Sequence, residues 1–131
     1  MKKFAYVFVS IMLAFSCSKG KDLTDFSSSG AQGAAEYFYG LLAKGQAQLY
    51  VDNMHGAAAM DTSKYSQYVD LMEQFLHEER ELRGGILCAN AGSDVISDSV
   101  ATVFMDVQFG DSTREEIILP LVYASGRWWI K

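Results

Sequence analysis

The spacing of apolar residues changes once along this chain, at Gly84-Gly85, and does not change back. Before that point apolar side chains recur every three or four residues, the period of a helix. After it they recur every second residue, the period of a strand. A chain that places its helices before its strands does not alternate into a parallel βαβ sheet. It predicts an α+β plan, with helices packed on an antiparallel meander.

Ser29 and Gln32 suggest a capping box, after which Ala34, Tyr37, Phe38, Leu41 and Leu42 mark a first helix that Gly45 stops. Ala47, Leu49, Tyr50, Val51 and Met54 mark a second, ending near His55-Gly56. Asp61 or Thr62 caps a long third helix. Tyr65, Tyr68, Val69, Met72, Phe75, Leu76 and Leu82 lie along its inner face, and Glu73, Glu78, Glu79, Arg80 and Arg83 mostly around the other. Residues 86–91 and 94–97 read as strand interrupted at Gly92-Ser93 by a bulge or a tight turn. In 100–109, Ala101, Val103, Met105, Val107 and Phe109 form one apolar face, with Thr102, Asp106 and Gln108 opposite. Gly110-Asp111-Ser112 connects to a strand over 115–123, and 124–127 turns into Trp128-Trp129-Ile130.

Ahead of this domain stands a different kind of segment. Lys2 and Lys3 precede a run over 4–15 that is apolar apart from Ser10, and Ala14-Phe15-Ser16 lead into Cys17. The run is shorter than the about 20 residues a membrane-spanning helix needs. It suits an export signal, with small residues before the cut. It resembles the lipobox of bacterial lipoproteins, with Phe15 departing from the strictest form. The resemblance implies a signal peptide over 1–16 and lipidation of Cys17 with several acyl chains such as palmitate, which together meet the requirement for firm anchoring. Residues 17–29, polar and serine-rich, are expected to be a flexible tether, leaving 30–131 as one domain. Ser18 after the cysteine, with no aspartate there, resembles the bacterial pattern for passage to the outer membrane, and the lack of an acidic run just after it points to a cell-envelope domain facing the periplasm.

Loss of the leader removes Lys2 and Lys3, so 9 basic residues face 16 acidic ones, a net charge of −7. Such a surface disfavours nucleic acid and anionic headgroups, so the lipid is the expected tie to the membrane. With Cys17 lipidated, stability must come from the core, and Cys88, within Ile86-Leu87-Cys88-Ala89, is expected to be a small buried hydrophobe.

The order of Ala35-Glu36-Tyr37-Phe38, Leu41-Leu42-Ala43-Lys44-Gly45, Ser99-Val100-Ala101-Thr102-Val103 and Gly126-Arg127-Trp128-Trp129-Ile130-Lys131 resembles the nuclear transport factor 2-like superfamily, and within it small bacterial lipoproteins carrying a domain of unknown function. The resemblance implies a cone: three N-terminal helices held by a curved antiparallel sheet of about four strands, with a pocket at the open end. It leaves function open, because such folds serve enzymes, binding domains and transport factors.

A cone-pocket enzyme of the ketosteroid isomerase or polyketide cyclase type needs an acidic or histidine base in an apolar interior. Asp106 falls on the face opposite the apolar one, His55 at a helix end and Asp61 at a cap, so no catalytic residue is assigned. Glu73, His77 and Glu81 share a helical stripe inside a charge run, which reads as a solvated face, and neither a metal nor a cofactor is expected. The expected role is a small ligand-binding or interaction domain. Tyr37, Tyr50, Tyr65, Tyr68 and Met105 are the candidates to line a pocket for a small apolar ligand. Val100, Phe104, Ile118 and Val122, on the face expected to be wet, suggest a homodimer through the sheet.

Overall fold

Ser27 rather than Ser29 begins the helical part of the computed structural model, which describes residues 22–131. Its side chain accepts a hydrogen bond from the Gly30 backbone N–H at 3.1 Å and caps α1, Ser28–Ala43. The capping box expected from Ser29 and Gln32 does not form. Gln32 instead donates to Asp94 Oδ1 at 2.5 Å, beside a second bond from Ser28 Oγ at 2.5 Å. Gly45, at φ +76°, ends the helix in a Schellman arrangement: its N–H donates to the Leu42 carbonyl, and that of Gln46 to Leu41.

The second helix, α2, covers Ala47–Asp52 and stops short of the expected His55-Gly56. Residues 53–55 form a turn in which Met54 bridges Ile130 of the last strand, and a 3₁₀ turn, Ala57–Ala59, follows. Asp61 then caps α3, Thr62–Arg83, accepting from the Lys64 N–H at 2.8 Å. Gly84 ends α3 at φ +80°. Among the described residues no helix is long and apolar enough to cross a membrane.

Four strands follow in the order β1-β2-β3-β4, each antiparallel to its neighbour: Ile86–Ser97, Val100–Phe109, Arg114–Ala124 and Arg127–Ile130. The interruption at Gly92-Ser93 is a bulge, since the register shifts between Ala91 and Ser93. The Ala91 N–H at that irregularity donates to Glu36 Oε2 of α1 at 2.8 Å, so the distortion leaves no orphan donor there. Pro120 sits in β3 without breaking the β2 ladder. Its carbonyl accepts from the Lys131 N–H on the β4 side, and the missing donor points the same way, just beyond the end of β4.

The inner face of β2 is the expected one: Ala101, Val103, Met105, Val107 and Phe109 are all buried. Ala31, Ala34, Ala35, Phe38, Leu41 and Leu42 of α1 join them in one core with Leu119, Leu121, Trp128 and Ile130. Leu82, expected on the inner face of α3, is 75% exposed. The buried stripe runs through Leu76 to Glu79 instead. Cys88 is likewise only half-buried, next to a register shift between Ile86 and Cys88, and is not a free thiol, so the expected buried small hydrophobe is corrected.

Residues 22–27 do not behave as the expected tether. Leu23 O accepts from the Trp128 backbone N–H at 2.8 Å, Asp25 O from Trp128 Nε1 at 2.7 Å, and Thr24 O from the Tyr123 hydroxyl at 2.6 Å. The Phe26 ring stacks on Trp128 at 5.4 Å and meets Tyr123 edge-on at 4.9 Å. With the His55 N–H donating to Ile130 O, and Ile130 N–H to Asn53 O, this segment occupies the free edge of β4.

The far end of the sheet is tied to α3 by a close approach of two glycines. The Gly110 N–H donates to Gly85 O at 2.8 Å and the Asp111 N–H to Arg83 O at 2.9 Å. A Cβ on Gly110 would lie 2.3 Å from the Gly84 carbonyl oxygen, against backbone that cannot swing away. Gly110→Ala is therefore expected to cost about 1–3 kcal/mol, read as a lower urea midpoint with an unchanged slope.

Candidate functional site

Where the last turns of α3 pass over the sheet, one charged side chain is taken into the interior. Glu79 is 8% exposed, the single buried charged residue among those described. It follows Leu76 by three positions, so the helical period that buries Leu76 also carries Glu79 inward. Arg83, one turn later, places its Nε 3.1 Å from Glu79 Oε1 and its Nη2 3.0 Å from Glu115 of β3. Its guanidinium also lies 4.0 Å from the centroid of the buried Phe109 ring. Arg83 is the ionic partner of the buried Glu79 Oε1, which has no hydrogen bond besides that 3.1 Å contact. Two carboxylates share one guanidinium, which leaves the group one negative charge in excess.

Two buried tyrosines belong to the same interior. Burial, and then the charges of Glu79 and Glu115, push the Tyr39 phenol up to about 12. Burial raises Tyr50 further, with Tyr39 adding to it. Both phenols therefore stay neutral at physiological pH and can donate a hydrogen bond. A folded-state value above the unfolded 10.0 means that the unfolded chain loses its proton first. The associated stability is complete below pH 10 and is lost as pH rises through about 12. Tyr39→Phe is expected to remove the Tyr39 share of this alkaline loss, about 2–3 kcal/mol, in denaturation series from pH 9 to 12.

No protein-family model and no curated protein matches the chain. A solved structure does: a presumed NTF2-like transpeptidase from Campylobacter jejuni superposes with a TM-score of 0.60, over 73% of this chain and 92% of that one, at 16% sequence identity. The chain has the nuclear transport factor 2-like fold. Its element order is the one the sequence implied, helices first and an antiparallel meander after them.

Within this NTF2-like domain the five candidate pocket residues separate. Tyr50 and Met105 are buried and face the common core, at 7% and 1% exposure. Tyr37 is half-buried against Phe38, with ring centroids 5.7 Å apart, and Tyr65 donates its hydroxyl to Asp52 Oδ1 at 2.6 Å on an exposed helix–helix seam. Tyr68 is half-buried on α3. Cys17 lies outside the described residues. Asp106 faces outward and pairs with Arg114 across the strands. Glu73, His77 and Glu81 are exposed. His55 is held through its backbone beside β4, its ring edge-on to Trp129 at 6.1 Å.

Sequence reasoning missed Tyr39 and Glu79. The signal for Tyr39 was its place four residues after Ala35 and three before Leu42, on a helix buried over a wide arc. For Glu79 it was the three-residue spacing from Leu76, although the sequence reading placed Glu79 with Arg83 on the outer face.

Proposed function

We propose that this protein is exported to the bacterial cell envelope and that its NTF2-like domain binds a small, largely apolar ligand bearing a hydrogen-bond donor or a positive charge. The observation that carries the ligand reading is the buried Glu79 carboxylate, whose Oε1 meets only the ion-paired Arg83, beside the neutral phenol of Tyr39. A buried carboxylate oxygen so placed can accept from a further donor, from water or from a ligand. The excess negative charge favours a donor that is cationic. Apolar side chains such as Met105 and Phe109 would take the body of the ligand. Transpeptidase chemistry, the activity in the neighbour's name, needs a nucleophile. Among the described residues the buried side chains are apolar apart from Glu79 and the two phenols, and the phenols are held neutral, so binding is the favoured reading over acyl transfer.

A thermal-shift screen against a library of amphiphilic amines and neutral metabolites tests the ligand reading. A ligand at a hundred times its Kd should add about 2.7 kcal/mol of stability, and Glu79→Gln should remove the response. No saturable shift with any compound would count against it. Mass analysis of the mature N-terminus tests export: cleavage after Ser16 is expected, and a retained Met1 would overturn it.

Self-association is a second reading, favoured by the outer face of the sheet. Ile118 is 58% and Val95 59% exposed, on the same face as Phe104, which pairs directly with Ile118. Sedimentation at high concentration should show a dimer that Phe104→Glu dissociates; a monomer throughout would remove this reading.

A further inference from the structure

Arg83 and Arg114 each meet a carboxylate, whereas Arg127, half-buried at the start of β4, meets none among the described residues. A guanidinium drawn partly out of water is costly without an anion beside it. Burial pulls Arg127 below the ordinary arginine value, and the nearby Tyr37 phenol acts against that fall. The groups that hold it in place are neutral. Its Nε donates to the Trp128 carbonyl at 3.0 Å and its Nη2 to Asn53 Oδ1 at 2.5 Å, while its Cζ lies 3.8 Å from the centroid of the Trp129 indole. These bonds leave the Nη1 side of the fork without a protein acceptor among the described residues.

The neighbours of this guanidinium are themselves fixed. The Asn53 carbonyl accepts from the Ile130 N–H at 2.8 Å and its Nδ2 donates to Leu49 O at 2.9 Å, which leaves Oδ1 for Arg127. The Trp129 indole is pinned by its own bond to Ala124 O at 2.8 Å, and the exposed His55 ring stands edge-on to it at 6.1 Å. The β3 residues paired with β4, from Leu121 to Ala124, carry no carboxylate. In a chain with 16 acidic residues against 11 basic ones, this corner holds an unmatched positive charge. We propose that Arg127, Asn53 and Trp129 form a second binding site, which takes the carboxylate of a small organic acid with an aromatic or apolar body. A planar fork with one delocalised charge matches two oxygens that share one negative charge, and the Trp129 and His55 rings offer the body an apolar surface. Phosphate would have more charge to desolvate in the same half-buried place. Arg127 lies toward the Val100 end of β2 and Glu79 toward the Phe109 end, so the two sites differ in place and in charge, and neither depends on the other.

The test is a titration of the protein purified after export, followed by proton–nitrogen NMR at constant ionic strength, with sodium benzoate, sodium phosphate or sodium chloride as the probe. Benzoate should give saturable shifts centred on the Arg127 Nε–H and the Trp129 Nε1–H, which neither phosphate nor chloride reproduces. Arg127→Lys keeps the charge and loses the fork, so its Kd for benzoate should rise about tenfold. The mapping on the parent protein decides the site even where Arg127→Lys does not fold. Equal shifts with phosphate or chloride make this a general anion contact and overturn the carboxylate assignment. Benzoate shifts that are absent, that do not saturate or that centre elsewhere overturn the site, as does unchanged affinity in a folded Arg127→Lys.

Discussion

Trp128→Ala is expected to cost about 3–5 kcal/mol, a fall in Tm on the order of 10–25 °C for a domain of this size. Trp128 is fully buried and is the largest side chain in the core. Its loss opens a cavity under the sheet and also releases the N-terminal segment. The indole holds the Asp25 carbonyl and supports the Phe26 ring, so its removal takes away two of the contacts that dock residues 22–27. Differential calorimetry should show the fall in Tm. Limited proteolysis should show new cleavage within 22–29, in a part of the chain remote from the substitution in sequence. Trp128→Phe keeps most of the buried volume and loses the hydrogen bond, so it should lose less stability while still loosening that segment. Equal protection of 22–29 in Trp128→Ala and the parent would refute this linkage.

The second large effect has the opposite sign. Glu79→Leu is expected to stabilise the unliganded domain by about 1–2 kcal/mol, because it replaces a desolvated carboxylate with an apolar group of similar size. Removing Glu79 does not strand its partner: Arg83 keeps Glu115 at 3.0 Å and the Phe109 ring at 4.0 Å. The same substitution should abolish the ligand-induced thermal shift. Higher stability with lost binding is the pattern of a residue retained for function. A destabilised Glu79→Leu variant would instead make Glu79 a structural member of its ion-pair group. Urea denaturation of the unliganded protein, run beside the ligand titration, separates the two outcomes.

Much of this fold was legible because period-two and period-3.6 patterns report directly on which residues face inward. The β2 alternation, a cap at Asp61 or Thr62, the Gly45 and Gly84 stops, the interruption of β1 near Gly92 and the outward Asp106 all follow from local rules. The readings that failed concern competition between elements far apart in sequence. Ser27 caps α1 in place of Ser29, with Gln32 turned to Asp94 of β1, more than sixty residues away. Leu82 points to solvent because α3 ends against the Gly110 turn, and that contact determines which part of the helix is covered. Residues 22–27 look like a tether on composition alone, and only the aromatic surface of Tyr123 and Trp128 makes a docked conformation favourable.

The sequence by itself determined the class of the fold, the order of its elements and the apolar face of β2, since each depends on spacing within one segment. Only the tertiary structure decided which charged group is buried. Glu79 and Arg83 have the same four-residue spacing whether their helix face meets water or a sheet, and the spacing carries no information about the second element. The meeting of α3 with Phe109 and Glu115 turns an ordinary surface pair into a buried carboxylate whose Oε1 meets only Arg83. Burial is a property of the assembled elements, and here it separates a solvated pair from a candidate site.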